Sequence, residues 1–175
     1  MTFNVNKRAA MYAGVAALAA LAGIGVAWKR GDVDALSAEA MQALWATEFD
    51  TPNGELLRMS DFQGRPLVIN FWATWCTPCI EEMPLIDAFY RQNKSTDWQV
   101  VGLAIDQPSR VRQFLHQFPV EYPVALAGMT GTELGRQLGN DVGGLPFTVV
   151  LDGHARLIHR KVGKLNEVEI RNWAA

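Results

Sequence analysis

The sequence predicts one α/β domain preceded by a single membrane-spanning helix. Three observations carry that expectation. An uncharged run extends from Ala9 to Trp28, short apolar segments alternate with helix-period segments over the rest of the chain, and the only two cysteines, Cys76 and Cys79, sit where a buried strand gives way to a helix. A chain of 175 residues that is 49% apolar can bury one good core, so one domain plus a short extension fits better than two domains. The net charge of -2 arises from 16 basic and 18 acidic residues interspersed without long single-sign runs. No basic stripe marks a nucleic-acid partner.

Lys7 and Arg8 precede the uncharged run, and Lys29 and Arg30 close it. Twenty helical residues rise about 1.5 Å each and span about 30 Å, the hydrocarbon thickness of a bilayer. Gly14, Gly23 and Gly25 would weaken a soluble helix and are ordinary in a membrane one. Ala20-Leu21-Ala22 before Gly23 also resembles a signal-peptide cleavage site, but the apolar run continues past it through Ile24, Val26 and Trp28, which favours retention. With two basic residues on each flank the orientation is balanced. The free amino terminus tips it toward an inside N-terminus and an exported domain. Residues 1–30 are therefore read as an uncleaved anchor and 31–48 as a connector with a short helix, leaving 49–175 as the folded domain.

In the connector, Asp34 is placed to cap a helix through Ala46, with Leu36, Met41, Leu44 and Trp45 as buried positions. Pro52-Asn53-Gly54 between extended runs signals a β-hairpin. Leu67 to Phe71 reads as a buried central strand. A helix follows from the cysteines to about Gln92, burying Ile80, Met83, Ile86, Phe89 and Tyr90 and kinked at Pro84. Val100 to Ile105 is a second buried strand, and Pro108-Ser109 opens a helix carrying Val111, Phe114, Leu115 and Phe118. A short strand at Pro123 to Leu126 and a small helix from Thr132 to Leu138 closed by Gly139 come next. Two strands, Phe147 to Leu151 and Arg156 to Val162, flank Asp152-Gly153, and Asn166 caps a last helix ending near Trp173.

Two cysteines three apart close too small a loop to staple a fold, so they are there for chemistry. At a strand-to-helix junction the first thiol meets unpaired backbone N–H groups and the positive end of the helix dipole, which favour a thiolate. Cys76 is accordingly the nucleophile of disulfide exchange and Cys79, one turn on, the thiol that resolves the mixed disulfide. Pro78 falls in the first helical turn, where a missing N–H costs little. A zinc site would need two further ligands, and His116, His154 and His159 are scattered without ligand spacing. A thiol peroxidase is disfavoured by the lack of a Pro and Thr arrangement upstream of Cys76.

The stretch Val68-Ile69-Asn70-Phe71-Trp72-Ala73-Thr74-Trp75-Cys76-Thr77-Pro78-Cys79, with Glu82 and Pro84, resembles the TlpA/ResA-like branch of the thioredoxin superfamily. Gly144-Leu145-Pro146-Phe147-Thr148 is similar to the superfamily's cis-proline loop, and two motifs in the right order are far more specific than either alone. The resemblance covers roughly Phe49 to the C-terminus. It implies a thioredoxin-like central mixed sheet flanked by helices, with an N-terminal β-hairpin and an additional helix and strand between Ser109 and Leu126. It also implies that Pro146 is cis, that the Leu145 backbone is offered to an extended substrate segment, and that Trp75, Thr77 and Pro78 border the docking surface while Trp72 packs beneath it. Asn70 stands where thioredoxin carries a buried acid, and Glu82 matches the acid typical of this branch, a proton acceptor for Cys79.

The expected protein is thus a membrane-anchored thiol:disulfide oxidoreductase without cofactor or bound metal, reducing disulfides of exported proteins through a Cys76/Cys79 cycle. Its expected partners are proteins bearing disulfides or thiols and a membrane electron donor. The resemblance further suggests a bacterial-type inner membrane, a catalytic domain on the periplasmic side, and substrates in cytochrome c or oxidase maturation. The alternative from another class is a non-enzymatic module that holds or transfers Cu(I) through the thiols, for which Met83 alone is weak support.

Overall fold

The computed structural model describes residues 35–174, of which those from Leu36 onward form one compact unit. The expected anchor, its cleavage site and the Asp34 cap lie outside the described residues. Among the described residues no helix is long and apolar enough to cross a membrane.

The first helix, α1 (Ala38–Ala46), starts under Ser37, whose side chain accepts a hydrogen bond from Ala40 N at 3.1 Å. The expected start at Asp34 is thus corrected: Ser37 is extended, and its hydroxyl satisfies an N–H that the first turn leaves free. Strands β1 (Glu48–Asp50) and β2 (Leu56–Arg58) form the antiparallel hairpin around Asn53-Gly54, with Gly54 at φ 85°. After a 3-10 turn at Met59–Phe62 come β3 (Leu67–Trp72), α2 (Thr77–Asn93), β4 (Gln99–Ala104), α3 (Pro108–Gln117) and β5 (Val124–Leu126). The chain closes with α4 (Gly128–Gln137), β6 (Phe147–Leu151), β7 (Leu157–Val162) and α5 (Glu167–Arg171), followed by a 3-10 turn through Trp173.

The seven strands make one mixed sheet in the order β2-β1-β5-β4-β3-β6-β7. β3 and β4 run parallel, as do β4 and β5, while β6 is antiparallel to β3 and β7 antiparallel to β6. Helices cover both faces, so β3 is buried along its whole length and reads as an apolar run rather than an alternation. Its side chains divide between two cores. Ile69 and Phe71 face Leu44, Leu134, Leu138, Phe147 and Val149, whereas Val68 and Trp72 face Met83, Ile86, Val111 and Val150 together with both cysteines. β5 and the β-hairpin extend the sheet beyond β4, and α3 lies in the connection from β4 to β5.

Several expectations need adjustment. α2 is helical without interruption through Pro84, and it buries Cys79, Glu82 and Asp87 as well as Met83, Ile86 and Phe89, leaving Ile80 and Tyr90 half-buried. On α3 only Val111 is buried, and Phe118 lies past the helix end, 57% exposed, so it is not a core residue. α4 begins four residues before Thr132 and ends ahead of Gly139, whose φ of 97° is the left-handed conformation that stops a helix. Asn166 does cap α5, in a reciprocal arrangement with Glu169.

Leu44 is fully buried in the same core as Ile69 and Phe71, so α1 contributes to the fold and is not a loose leader. Leu44→Ala should lower the urea-unfolding free energy by about 2–5 kcal/mol. A change below about 0.5 kcal/mol would show that α1 is dispensable to the core.

Candidate functional site

The site forms where β3 ends. The turn out of the strand is closed by Cys76 N–H donating to Ala73 O at 3.1 Å, and it is tied to the end of β4 through Asp106. Thr74 donates to Asp106 Oδ2 from its backbone N–H at 3.0 Å and from its hydroxyl, and Gln107 N–H donates to Oδ1 at 2.7 Å. Burial pushes the Asp106 carboxyl up, but these donors outweigh it and hold the group below the usual aspartate range. The segment entering the cysteine motif is therefore fixed to a neighbouring strand.

Cys76 is the N-cap of α2, and its carbonyl accepts from Cys79 N–H at 3.1 Å and Ile80 N–H at 3.2 Å. Pro78 sits in the first turn, as the sequence suggested. The two cysteines are joined as a disulfide with Cα atoms 5.3 Å apart. Cys76 retains 5% exposure and Cys79 none, so a partner can reach only the first sulfur. Around it Trp75 is 63% exposed and Thr77 and Pro78 are exposed, while Trp72 is buried beneath.

One turn beyond Cys79, Glu82 is fully buried. Asn70 Nδ2 donates to its Oε1 at 2.8 Å and Leu165 N–H donates to its Oε2 at 2.7 Å. Burial pushes the Glu82 pKa above the ordinary glutamate range, against the lowering effects of the Leu165 N–H, the Asn70 amide, Lys161 and Lys164. Its neighbour Glu81 is exposed and pairs with Lys164 at 2.5 Å, so the two adjacent acids occupy opposite environments.

The second motif leads into β6, the antiparallel neighbour of β3. The Leu145-Pro146 bond is cis, and half-buried Leu145 packs against the core that holds both cysteines. The loop is shaped by buried Asn140, whose Nδ2 donates to Gly144 O at 2.9 Å and whose Oδ1 accepts from Gly144 N–H at 3.1 Å. Gly144 is required here because a Cβ would lie 2.8 Å from a Val162 methyl. Gly163 N–H then donates to Pro146 O at 2.8 Å, so the segment after β7 touches both the cis-proline loop and, through Leu165, Glu82.

Cys76, Cys79, Trp72, Met83 and Leu145 thus belong to one packed region, as the two motifs imply. Asn70 was legible only as the absence of an acid. Its bonds to Glu82 and Thr148, the Asn140 bracket, the Asp106 tie and the Leu165 N–H have no local motif, because each joins residues distant in sequence or uses the backbone. Of the histidines, His116 and His154 are exposed, whereas His159 lies half-buried against Trp173 with ring centroids 6.0 Å apart. Among the described residues no group of three or more His, Cys, Asp or Glu side chains is arranged to hold a metal ion. Nothing in the described structure supports the Cu(I)-transfer alternative.

A redox cysteine pair at the start of a helix, on a mixed sheet with an opposing cis-proline, defines a thiol-disulfide oxidoreductase of thioredoxin-like fold. The chain belongs to the redoxin family, whose model matches residues 38–174. It is 27% identical to thiol-disulfide oxidoreductase ResA of a Bacillus cereus strain over 122 residues, covering 69% of this chain and 68% of that protein. To thiol:disulfide interchange protein DsbE of Vibrio cholerae it is 33% identical over 124 residues, covering 69% and 60% respectively. Among solved structures, a thiol:disulfide interchange protein of the thioredoxin family from Chlorobium tepidum TLS superposes with a TM-score of 0.66 at 23% identity, over 73% of this chain and 90% of that one. The ResA-like resemblance seen in the two motifs holds.

The raised Glu82 pKa has a measurable consequence. The folded protein holds this proton more tightly than the unfolded chain, so Glu82's contribution to stability is fully present below the ordinary glutamate pKa and is lost as pH rises through the raised one. Urea unfolding of the oxidised protein, in which the thiols do not titrate, should therefore show a decline in stability across that window that Glu82→Gln removes. Identical pH profiles for parent and variant would contradict the raised pKa.

Proposed function

We propose that the protein is a membrane-anchored reductase of disulfides in exported proteins. Residues 1–30 are the anchor and 31–48 a connector whose helix α1 packs into the core of the catalytic domain of 49–175, which faces the periplasmic side of a bacterial-type inner membrane. The observation that carries the reading is the asymmetric cysteine pair, with Cys76 reachable at the helix start and Cys79 buried one helical turn before the buried acid Glu82.

In the reduced protein the Cys76 thiolate attacks one sulfur of a substrate disulfide, forming a mixed disulfide and releasing the other substrate sulfur as a thiolate. Cys79 then passes its proton to Glu82 and attacks Cys76 Sγ. The Cys76–Cys79 bond forms, the bond to substrate breaks, and the second substrate thiolate leaves. Two electrons have moved from protein to substrate, and a membrane donor restores the dithiol. Trp75, Thr77 and Pro78 with Leu145 and Pro146 border the docking surface, where an extended segment adds to the free backbone edge at Leu145.

The acid beneath Cys79 supports the reducing direction. A negative carboxylate opposes a second thiolate, and a dithiol whose thiolates are not stabilised gives up its electrons more readily. The names of the relatives, a thiol-disulfide oxidoreductase ResA and a thiol:disulfide interchange protein DsbE, agree with exchange on protein substrates. Maturation of cytochrome c or an oxidase is the setting that the family resemblance suggests.

Cys79→Ser should accumulate a mixed disulfide on Cys76, visible as a reductant-sensitive band on non-reducing gels, because attack survives and resolution is lost. Cys76→Ser should trap nothing, and trapping by that variant instead would reverse the two roles. A strongly reducing potential for the purified protein is expected, whereas a poised, oxidising one would make it a disulfide donor.

For the anchor, the intact chain should stay in the membrane fraction after high-salt and carbonate washes. Release with a new N-terminus near Gly23 would replace the anchor with a cleaved leader.

A further inference from the structure

We propose that Asn70 is a positioning residue for the exchange reaction: pinned to Thr148, its amide holds the Glu82 carboxyl in the orientation that exchanges a proton with Cys79. This rests on the reading of Glu82 as the proton partner of Cys79.

All six residues of β3 are buried, and Asn70 alone among them is polar. An amide at such a position weakens a fold unless its groups are satisfied, and an apolar side chain would serve the strand better. Both Asn70 Nδ2 hydrogens are used, one to Glu82 Oε1 at 2.8 Å and the other to Thr148 Oγ1 at 3.0 Å. Asn70 Oδ1 is buried and has no hydrogen-bond partner among the described residues. The side-chain bonding of this amide is thus spent on two contacts, and one of them is the acid of the site.

Thr148 is the register partner of Asn70 across the antiparallel β3–β6 pair, two residues beyond the cis-proline. Its hydroxyl gives the amide a second fixed point, so the Asn70 plane cannot turn freely. On the other carboxyl oxygen the Leu165 N–H supplies a donor from the segment after β7. Each carboxylate oxygen offers about two acceptor positions, and these donors occupy one on each. A proton must take a remaining position, and Cys79 is the neighbour three residues earlier on the same helix.

The charged and titratable groups around Glu82 come from every element against it. Lys161 on β7 and Lys164 beyond it pull its pKa down, and the buried Tyr122 hydroxyl ahead of β5 is pushed up by burial, by Asp87 and by Glu82 itself. The Asn70 amide favours the ionised carboxyl directly, by hydrogen bonding to it.

The test follows the Glu82 carboxyl band by infrared titration of the oxidised protein, assigning the band by its loss in Glu82→Gln. In Asn70→Leu and in Thr148→Val the band should persist to higher pH than in the parent, and Thr148→Ser, which keeps the hydroxyl, should restore the parent midpoint. The pH dependence of the reduction potential should move in the same direction, and Asn70→Leu added to Glu82→Gln should move it no further. Thr148→Val keeps the test open if Asn70→Leu does not fold. Parent-like band midpoints in these variants, with only a lower melting temperature, would make Asn70 a purely structural amide and overturn the proposal. If the band shifts but Glu82→Gln leaves the potential's pH dependence unchanged, Asn70 does hold Glu82, and it is the proton-partner reading that is lost.

Discussion

A carboxyl group buried beneath a redox disulfide is the constraint on which this structure turns. Glu82 has no exposure and bonds to β3 through Asn70 and to the segment after β7 through Leu165, so it ties α2 to both. Leaving a buried polar group without its hydrogen-bond partner commonly costs about 1–3 kcal/mol, and more where the group is charged. The position of α2, and with it of Cys76 at its first turn, is therefore coupled to whether these bonds are made. The same bonds that aim the helix oppose the rise in proton affinity that burial imposes on its acid.

Sheet topology makes this economical. Because helices lie on both sides, β3 must be apolar on both faces, and a single polar residue in it stands out energetically. Asn70 faces the core that contains the cysteines, while its neighbours Ile69 and Phe71 face the other. A one-residue shift of β3 would carry the amide to the wrong face, so the fold's register and the site's chemistry are specified together.

Much of this was legible from sequence. The strand before Cys76, the helix after it, the Asn-Gly hairpin and the Asn166 cap each have a local signature, and the motif at Leu145-Pro146 marked the second half of the site. What escaped is of two kinds. Helix starts escaped local signals, since α1 is capped by Ser37 and α4 begins early after Ala127 with no side-chain cap at all. Contacts across long separations, such as Asp106 holding Thr74 or Thr148 meeting Asn70, depend on pairing that periodicity does not encode, and the local bracket of Asn140 on Gly144 runs through backbone atoms that carry no sequence signature. Phe118 shows the converse, since its spacing suits a buried helix face but the helix has already ended.

The segment after β7 shows how little its visible ion pair explains. Lys164 and Glu81 are each about half exposed, and exposed pairs of this sort contribute about 0–1 kcal/mol. The stronger links are backbone ones, Gly163 N–H to Pro146 O and Leu165 N–H to Glu82 Oε2. Through them three consecutive residues join the cis-proline loop to the acid beneath Cys79. The cis-proline loop and the buried acid are therefore held in register by a short covalent tether hydrogen-bonded at both ends.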